Sequence, residues 1–346
     1  MNYQNKYYKY KTKYLNVKKG MNVDMKGGST EDILLNLQIQ NKKFAESLKG
    51  AKPIYEMTPK EARQVLLDLQ KDSVNKLMAN IQDIDTIFED KSISIRIVRS
   101  INSINTKLPV TIYIHGGGWI LGDKLTHDHL IKDLAIQSNS AIIFVNYTPS
   151  PEGPFPTAIE ESYRAIEYIL SNGDKHNLDT SKIAIAGDSV GGNMAIAVTL
   201  LIIQRQKIKL LYLVLFYPVT SAAMDTESYK IYAEGPWLTR KAMEWFWNAY
   251  EPDMNKRDNF LISPLNTPIE LLQNFPPTLL ITDENDVLRD EGENFARKLM
   301  RAGVDVTTIR YIGTIHDFVM LSPLIDTPAS KSAISLAASN LKKNFQ

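Results

Sequence analysis

The chain has 346 residues, 44% of them hydrophobic, so it is long and apolar enough to bury a large core. Its 40 Lys plus Arg balance 39 Asp plus Glu to a formal +1, which gives the whole chain no electrostatic case for nucleic acid or an anionic membrane, and its lack of cysteine excludes disulfides, thiolate metal sites and a cysteine nucleophile. No apolar run nears the roughly 18 residues of a membrane span and the N-terminus shows no apolar core of a secretory signal, so a soluble, intracellular protein is the expectation.

Residues 1–28 form a basic, Tyr- and Lys-rich extension. Tyr3, Tyr7, Tyr10, Tyr14 and Val17 recur at steps of four and three, as on one helical face, among six lysines and no acid before Asp24. Such an arm is either solvated or docked on an unknown partner. Lys26-Gly27-Gly28 reads as a joint. Ser29 or Thr30 can then cap a helix running to about Ser47. "TPKEARQVLLDL" follows, with Thr58 as N-cap, Pro59 in the first turn and Glu61 closing a capping box. Residues 29–90 are therefore expected to be mainly helical.

From Ser92 onward short β-branched runs alternate with amphipathic ones: "VTIYI", "AIIFVNY", "KIAIAG", "LLYLVLF" and "PTLLIT" are separated by segments such as Thr157 to Leu170. The alternation predicts an α/β domain over 91–346, with a mostly parallel sheet covered by helices on both faces. After the first of these strands comes His115-Gly116-Gly117-Gly118, whose bare backbone N–H groups can face a ligand. It lacks the G-x-G-x-x-G and Lys-Ser/Thr patterns of nucleotide loops. His127 and His129, two apart on an expected helix start, do not share a face and make a poor metal pair. His176 falls in a polar loop.

"KIAIAGDSVGG" ends a strand and opens a helix. Gly187, Asp188, Ser189, Val190 and Gly191 spell G-x-S-x-G, a sharp turn that lifts a serine hydroxyl above the sheet and aims free helix N–H groups at the atom it attacks. A chain this long carries the pattern by chance roughly one time in ten, so further evidence is needed. A reactive serine needs a base, and the base an acid, each on a loop after a later strand in the order Ser, Asp or Glu, His. "ITDENDVLRDEG" offers Asp286, with Asp283, Glu284 and Asp290 as competitors, and "IGTIHDF" offers His316.

From about Thr58 to Phe318 the chain resembles the hormone-sensitive-lipase-like esterases, also called GDXG or family IV lipolytic enzymes, of the α/β-hydrolase fold. The resemblance rests on "HGGGW", "VNYTPSPEGPFPTAIEE", "GDSVGGN", "GPWLTRKAMEWFWNAY", "DVLRDEG" and "IHDF", in that order. It implies Ser189 as nucleophile, His316 as base, Asp286 as its orienting acid, and an oxyanion hole from the N–H groups of Gly117, Gly118 and Val190, with Gly116 as a further candidate. It also implies a helical cap from the N-terminal helices and an insertion at about 221–261, where Trp237, Trp245, Phe246 and Trp247 either line a pocket or pack the cap. No cofactor or metal is implied. Three positions depart from the family pattern: Val190 for alanine, Val287 for proline and Asp317 for glycine.

The expected activity is hydrolysis of short- to medium-chain carboxylic esters, with a small-molecule ester as partner and a homodimer compatible with the pattern. The alternatives are an amide or formamide hydrolase and a non-catalytic ligand-binding member of the fold. The basic arm further resembles Tyr/Lys-rich N-terminal segments of giant-virus proteins, which implies a viral origin and raises virion association.

Overall fold

The computed structural model describes residues 30–72, 77–206 and 208–346, so the basic arm of 1–28 lies outside the described residues. Eight strands form one sheet: β1 (Ala79–Phe88), β2 (Lys91–Ser100), β3 (Leu108–Ile114), β4 (Ala141–Val145), β5 (Leu178–Asp188), β6 (Leu210–Phe216), β7 (Thr278–Asn285) and β8 (Val306–Ile315). Their spatial order is β1-β2-β4-β3-β5-β6-β7-β8. β2 is antiparallel to both its neighbours and the remaining pairs are parallel. β4 is buried along its whole length, which is why it reads as an unbroken apolar run rather than an alternating one.

From β3 the chain crosses to β4 on one side, then returns past β3 to β5 on the other. Right-handed crossovers therefore put the two connecting helices on opposite faces. α4 (Asp128–Ser138) packs with the last helix, α11 (Pro328–Asn344), on one face. α5 (Thr157–Asn172) and α6 (Val190–Arg205) pack together on the other, and α10 (Arg289–Arg301) covers β7 and β8. The reversal in direction between β3 and β5 opens a crevice at their carboxyl ends, where open α/β sheets bind ligands.

Register decides what meets in that crevice. Ile114 of β3 pairs with Gly187 of β5, so the glycine loop after β3 lies beside the turn holding Ser189. Asn285 of β7 pairs with Ile315 of β8, so the next residues, Asp286 and His316, emerge as neighbours.

The N-terminal part differs from the sequence expectation in two places. The helix expected from 29 or 30 to 47 is broken into α1 (Thr30–Asn36) and α2 (Ile39–Ser47). Gln38 between them donates its backbone N–H to Gly313 O at 2.9 Å and its Nε2 to Ile312 O at 2.9 Å, so its hydrogen bonds go to the β8 strand instead of a preceding helical turn. Residues 79–88, expected within a helical stretch, are the edge strand β1. Ile81, Ile84 and Ile87 imitate helical spacing, but the segment pairs with β2 along all ten residues and is mostly half-exposed or exposed. α3 (Pro59–Gln70) carries the capping box: Glu61 N donates to Thr58 Oγ1 and Thr58 N to Glu61 Oε2 at 2.8 Å.

The insertion after β6 contains α7 (Glu227–Ile231) and α8 (Arg240–Tyr250), with the single turn α9 (Ile269–Leu272) before β7. Thr239 caps α8 by accepting from Ala242 N, and Ala242, Met243, Phe246, Trp247 and Tyr250 make its buried face. Trp119, just after the glycine loop, stacks on Tyr250 with centroids 4.2 Å apart and meets the Trp247 ring at a tilt, with centroids 4.5 Å apart. Glu291, at the start of α10, accepts from Thr220 N and Ser221 N and fastens the root of the insertion. No helix among the described residues is long and apolar enough to cross a membrane.

Candidate active site

Ser189 sits between β5 and α6 with φ 54° and ψ −122°, a backbone state that costs a non-glycine residue about 1–3 kcal/mol. The surroundings hold it there. Ser189 N donates to Phe216 O at 2.9 Å, and Val219 N donates to Ser189 O at 3.1 Å, tying the turn to the end of β6. A Cβ on Gly191 would collide with the carbonyl of Ile114, and one on Gly187 with the carbonyl of Gly191. Only glycines let strand, turn and helix approach this closely.

Asp188 organises the glycine loop. Its Oδ1 accepts from Tyr113 OH at 2.7 Å and from Gly116 N at 3.1 Å, and its Oδ2 pairs with His127 Nε2 at 3.3 Å. Burial acts against charge on both groups of that pair, but each stabilises the other: His127 is held above the ordinary histidine value and Asp188 below the usual carboxylate range. His127 is thus the partner of Asp188 beneath the glycine loop, a role that spacing alone does not reveal. His115 is the opposite case. Burial pushes its pKa down to about 3, and its Nδ1 hydrogen bonds with Gly116 O at 2.8 Å while Tyr147 stacks on the ring. His176 lies away from this cluster, beside Tyr168 and Gln82.

With its N–H committed to Asp188, Gly116 is displaced from the set of candidate oxyanion donors. Gly117 and Gly118 line the pocket beside Ser189 at φ 103° and 62°. Val190 is the first residue of α6, where helix N–H groups lack intrahelical partners. Val190's own side chain is fully buried.

His316 follows β8. Its Nε2 lies 2.9 Å from Ser189 Oγ and its Nδ1 2.7 Å from Asp286 Oδ2, while Leu288 N donates to Asp286 Oδ1 at 3.0 Å. The competing acids are engaged elsewhere or set back: Asp290 pairs with Arg289 and accepts from Ser228 N, and Glu284 accepts from Gly313 N. Asp283 is buried near Asp286. Val287 is buried too, and its carbonyl accepts from Ser228 Oγ at 2.6 Å, which fixes the turn without a proline.

Asp317, at φ 66°, brings a second carboxylate to His316. Its Oδ1 lies 3.5 Å from His316 Nε2, and its Oδ2 accepts from Trp237 Nε1 at 2.9 Å. Burial lowers the His316 pKa, but the Asp286 and Asp317 carboxylates outweigh it and hold the imidazole above the ordinary histidine value. Only a neutral imidazole can accept a proton, so activity should rise with pH along a limb lying above about 6.5. Asp317→Asn, whose amide oxygen can still accept from Trp237, is expected to move that limb about one pH unit lower and raise activity at neutral pH. A pH profile of kcat/KM checks this, and an unmoved limb would show that Asp317 does not act on His316.

Above Ser189 lies a mainly apolar pocket of about 360 Å³, floored by Gly117, Gly118 and His316 and roofed by residues 48–69 and 234–246. Trp237 and Phe246 line it, whereas Trp247 packs on Trp119 and Trp245 lies against Phe246. A Cβ on Gly118 would drive into the Phe246 ring, so the insertion sits directly on the loop.

A family model described as alpha/beta hydrolase fold matches residues 111–320. A protein of Acanthamoeba polyphaga mimivirus named as an alpha/beta hydrolase is 42% identical over 343 residues, 99% of this chain and 97% of that one, so the likeness reaches into the basic arm. An esterase of Gibberella moniliformis is 34% identical over 316 residues, 90% of this chain and 99% of its own. Among solved structures, a thermostable esterase from Pseudomonas putida superposes with a TM-score of 0.87 at 41% identity, covering 92% of this chain and 99% of that one.

Proposed function

Since the chain belongs to the α/β-hydrolase family of hormone-sensitive-lipase-like esterases and is a carboxylic ester hydrolase, we propose that it cleaves short- to medium-chain esters through a Ser189, His316, Asp286 triad. His316 Nε2 takes the proton of Ser189 Oγ as the oxygen attacks the ester carbonyl. Asp286 holds the ring by its Nδ1–H and stabilises the imidazolium. The N–H groups of Gly117, Gly118 and Val190 receive the negative charge of the tetrahedral oxygen. His316 then returns the proton to the departing alkoxide, leaving an acyl group on Ser189. Water repeats the sequence, losing its proton to His316, and releases the acid.

One observation carries the reading: an unbroken relay from Ser189 Oγ through His316 to Asp286, at 2.9 and 2.7 Å, opens on a pocket with apolar walls. The N-terminal helices and the 221–261 insertion act as the cap that encloses it. The pocket lies near the small end of ligand sites, so it holds a limited chain. Each methylene that fills it is worth ~0.8 kcal/mol, or roughly fourfold in kcat/KM. With p-nitrophenyl esters, kcat/KM is expected to climb from acetate to about hexanoate and to fall at least ~100-fold by palmitate. A value still rising at palmitate would contradict the enclosed pocket.

A further inference from the structure

Asp283, near the end of β7, has no solvent exposure, and neither of its carboxyl oxygens meets a hydrogen-bond donor among the described residues. An ionised carboxylate there would be an uncompensated buried charge. Its neighbours are the acid and base of the triad: one oxygen of Asp283, one of Asp286 and a ring nitrogen of His316 all lie within 4.8 Å of one another. Asp286 already accepts from His316 Nδ1 and Leu288 N, and a carboxylate has further lone pairs to offer. Two carboxyl groups this close in a buried site do not both ionise. Asp286 has the donors that favour charge, so the proton belongs on Asp283. Burial, reinforced by the negative charge of Asp286, holds Asp283 well above the usual carboxylate range.

We propose that Asp283 is a positioning residue: as a neutral acid, it donates its O–H to the Asp286 carboxylate and fixes that group's orientation and charge behind His316. The proposal rests on the triad described above. Its consequence is electrostatic. A donor on Asp286 draws negative charge away from the oxygen facing Nδ1, so His316 releases its proton at a lower pH than it would with Asp283 silent. The other groups facing Asp283 are His316 and Asp317 after β8 and Tyr217 after β6.

The test compares full-length Asp283→Asn and Asp283→Val by the pH profile of kcat/KM. Asparagine replaces the O–H donor with an N–H donor and is expected to leave the rising limb within about 0.3 pH unit of wild type, whereas valine, with no donor, moves it up by about one unit, the equivalent of one hydrogen bond to a charged group. If Asp283 were ionised, both variants would remove a negative charge and move the limb down, overturning the proposal. If both leave it in place, Asp283 only fills space, and the proposal is again overturned. Infrared difference spectra add a readout that does not need Asp283→Val to fold: wild type at neutral pH should show a protonated carboxylic C=O band that Asp283→Asn lacks, and its absence from wild type overturns the assignment. Failure of the triad itself would look different, since Ser189→Ala would then retain full turnover.

Discussion

Ser189→Ala is expected to fold normally and to lose ester turnover by a factor on the order of 10⁶. The fold should persist because the groups that hold this turn are backbone: Ser189 N on Phe216 O, Val219 N on Ser189 O, and the close approach at Gly187 and Gly191. Alanine keeps all of them and meets the same φ of 54° with a side chain no larger than serine. The loss is chemical. Without Oγ there is no atom 2.9 Å from His316 Nε2 to take up the acyl group, and what remains is binding in the pocket and the N–H donors of Gly117, Gly118 and Val190. That remainder supports a residual rate about 10³–10⁴ above water. Turnover of p-nitrophenyl butyrate, with a thermal melt to check folding, measures it; a drop of less than about tenfold would exclude Ser189 as the nucleophile.

Asp286→Asn is expected to cost about 10⁴-fold in kcat while leaving KM within a few fold. The carboxylate oxygen 2.7 Å from Nδ1 holds the proton on that nitrogen, which frees Nε2 to accept from Ser189. An amide can turn its NH₂ toward Nδ1, and the ring then carries its proton on Nε2, facing the serine as a donor when an acceptor is needed. The Leu288 N–H bond to the other oxygen survives the change, so stability should alter little. Residues acting as one unit do not add: Ser189→Ala combined with Asp286→Asn should be no slower than Ser189→Ala alone. A further large loss in the double variant would mean that Asp286 works on some group other than His316.

Much of this site was legible in the sequence because it depends on backbone geometry that few residues allow. A turn that brings β5, α6 and the carbonyl of Ile114 together demands glycine at 187 and 191, and the loop under Phe246 demands it at 118. Strand order and parallel register then bring distant motifs together, so His316 meets Ser189 although 127 residues separate them. The supporting contacts were not legible. His127 reaches Asp188 across 61 residues, and Trp237 reaches Asp317 across 80, through packing that no local pattern announces. In the sequence the Gly116 N–H reads as one more candidate oxyanion donor, but in the fold it donates to Asp188. The edge strand β1 is hidden by isoleucines spaced as on a helix, and the break at Gln38 by hydrogen bonds to a strand 274 residues away in sequence at Ile312.

The relay itself can be tested in one measurement: incubation of the folded protein with a p-nitrophenyl alkylphosphonate, followed by intact mass and peptide mapping. A phosphonate gives a stable tetrahedral adduct only on a hydroxyl made nucleophilic by a base. One adduct per chain is expected, on Ser189, absent from Ser189→Ala and strongly slowed in His316→Ala. A folded, turnover-competent protein that takes no adduct, or takes it on another residue, would contradict the triad.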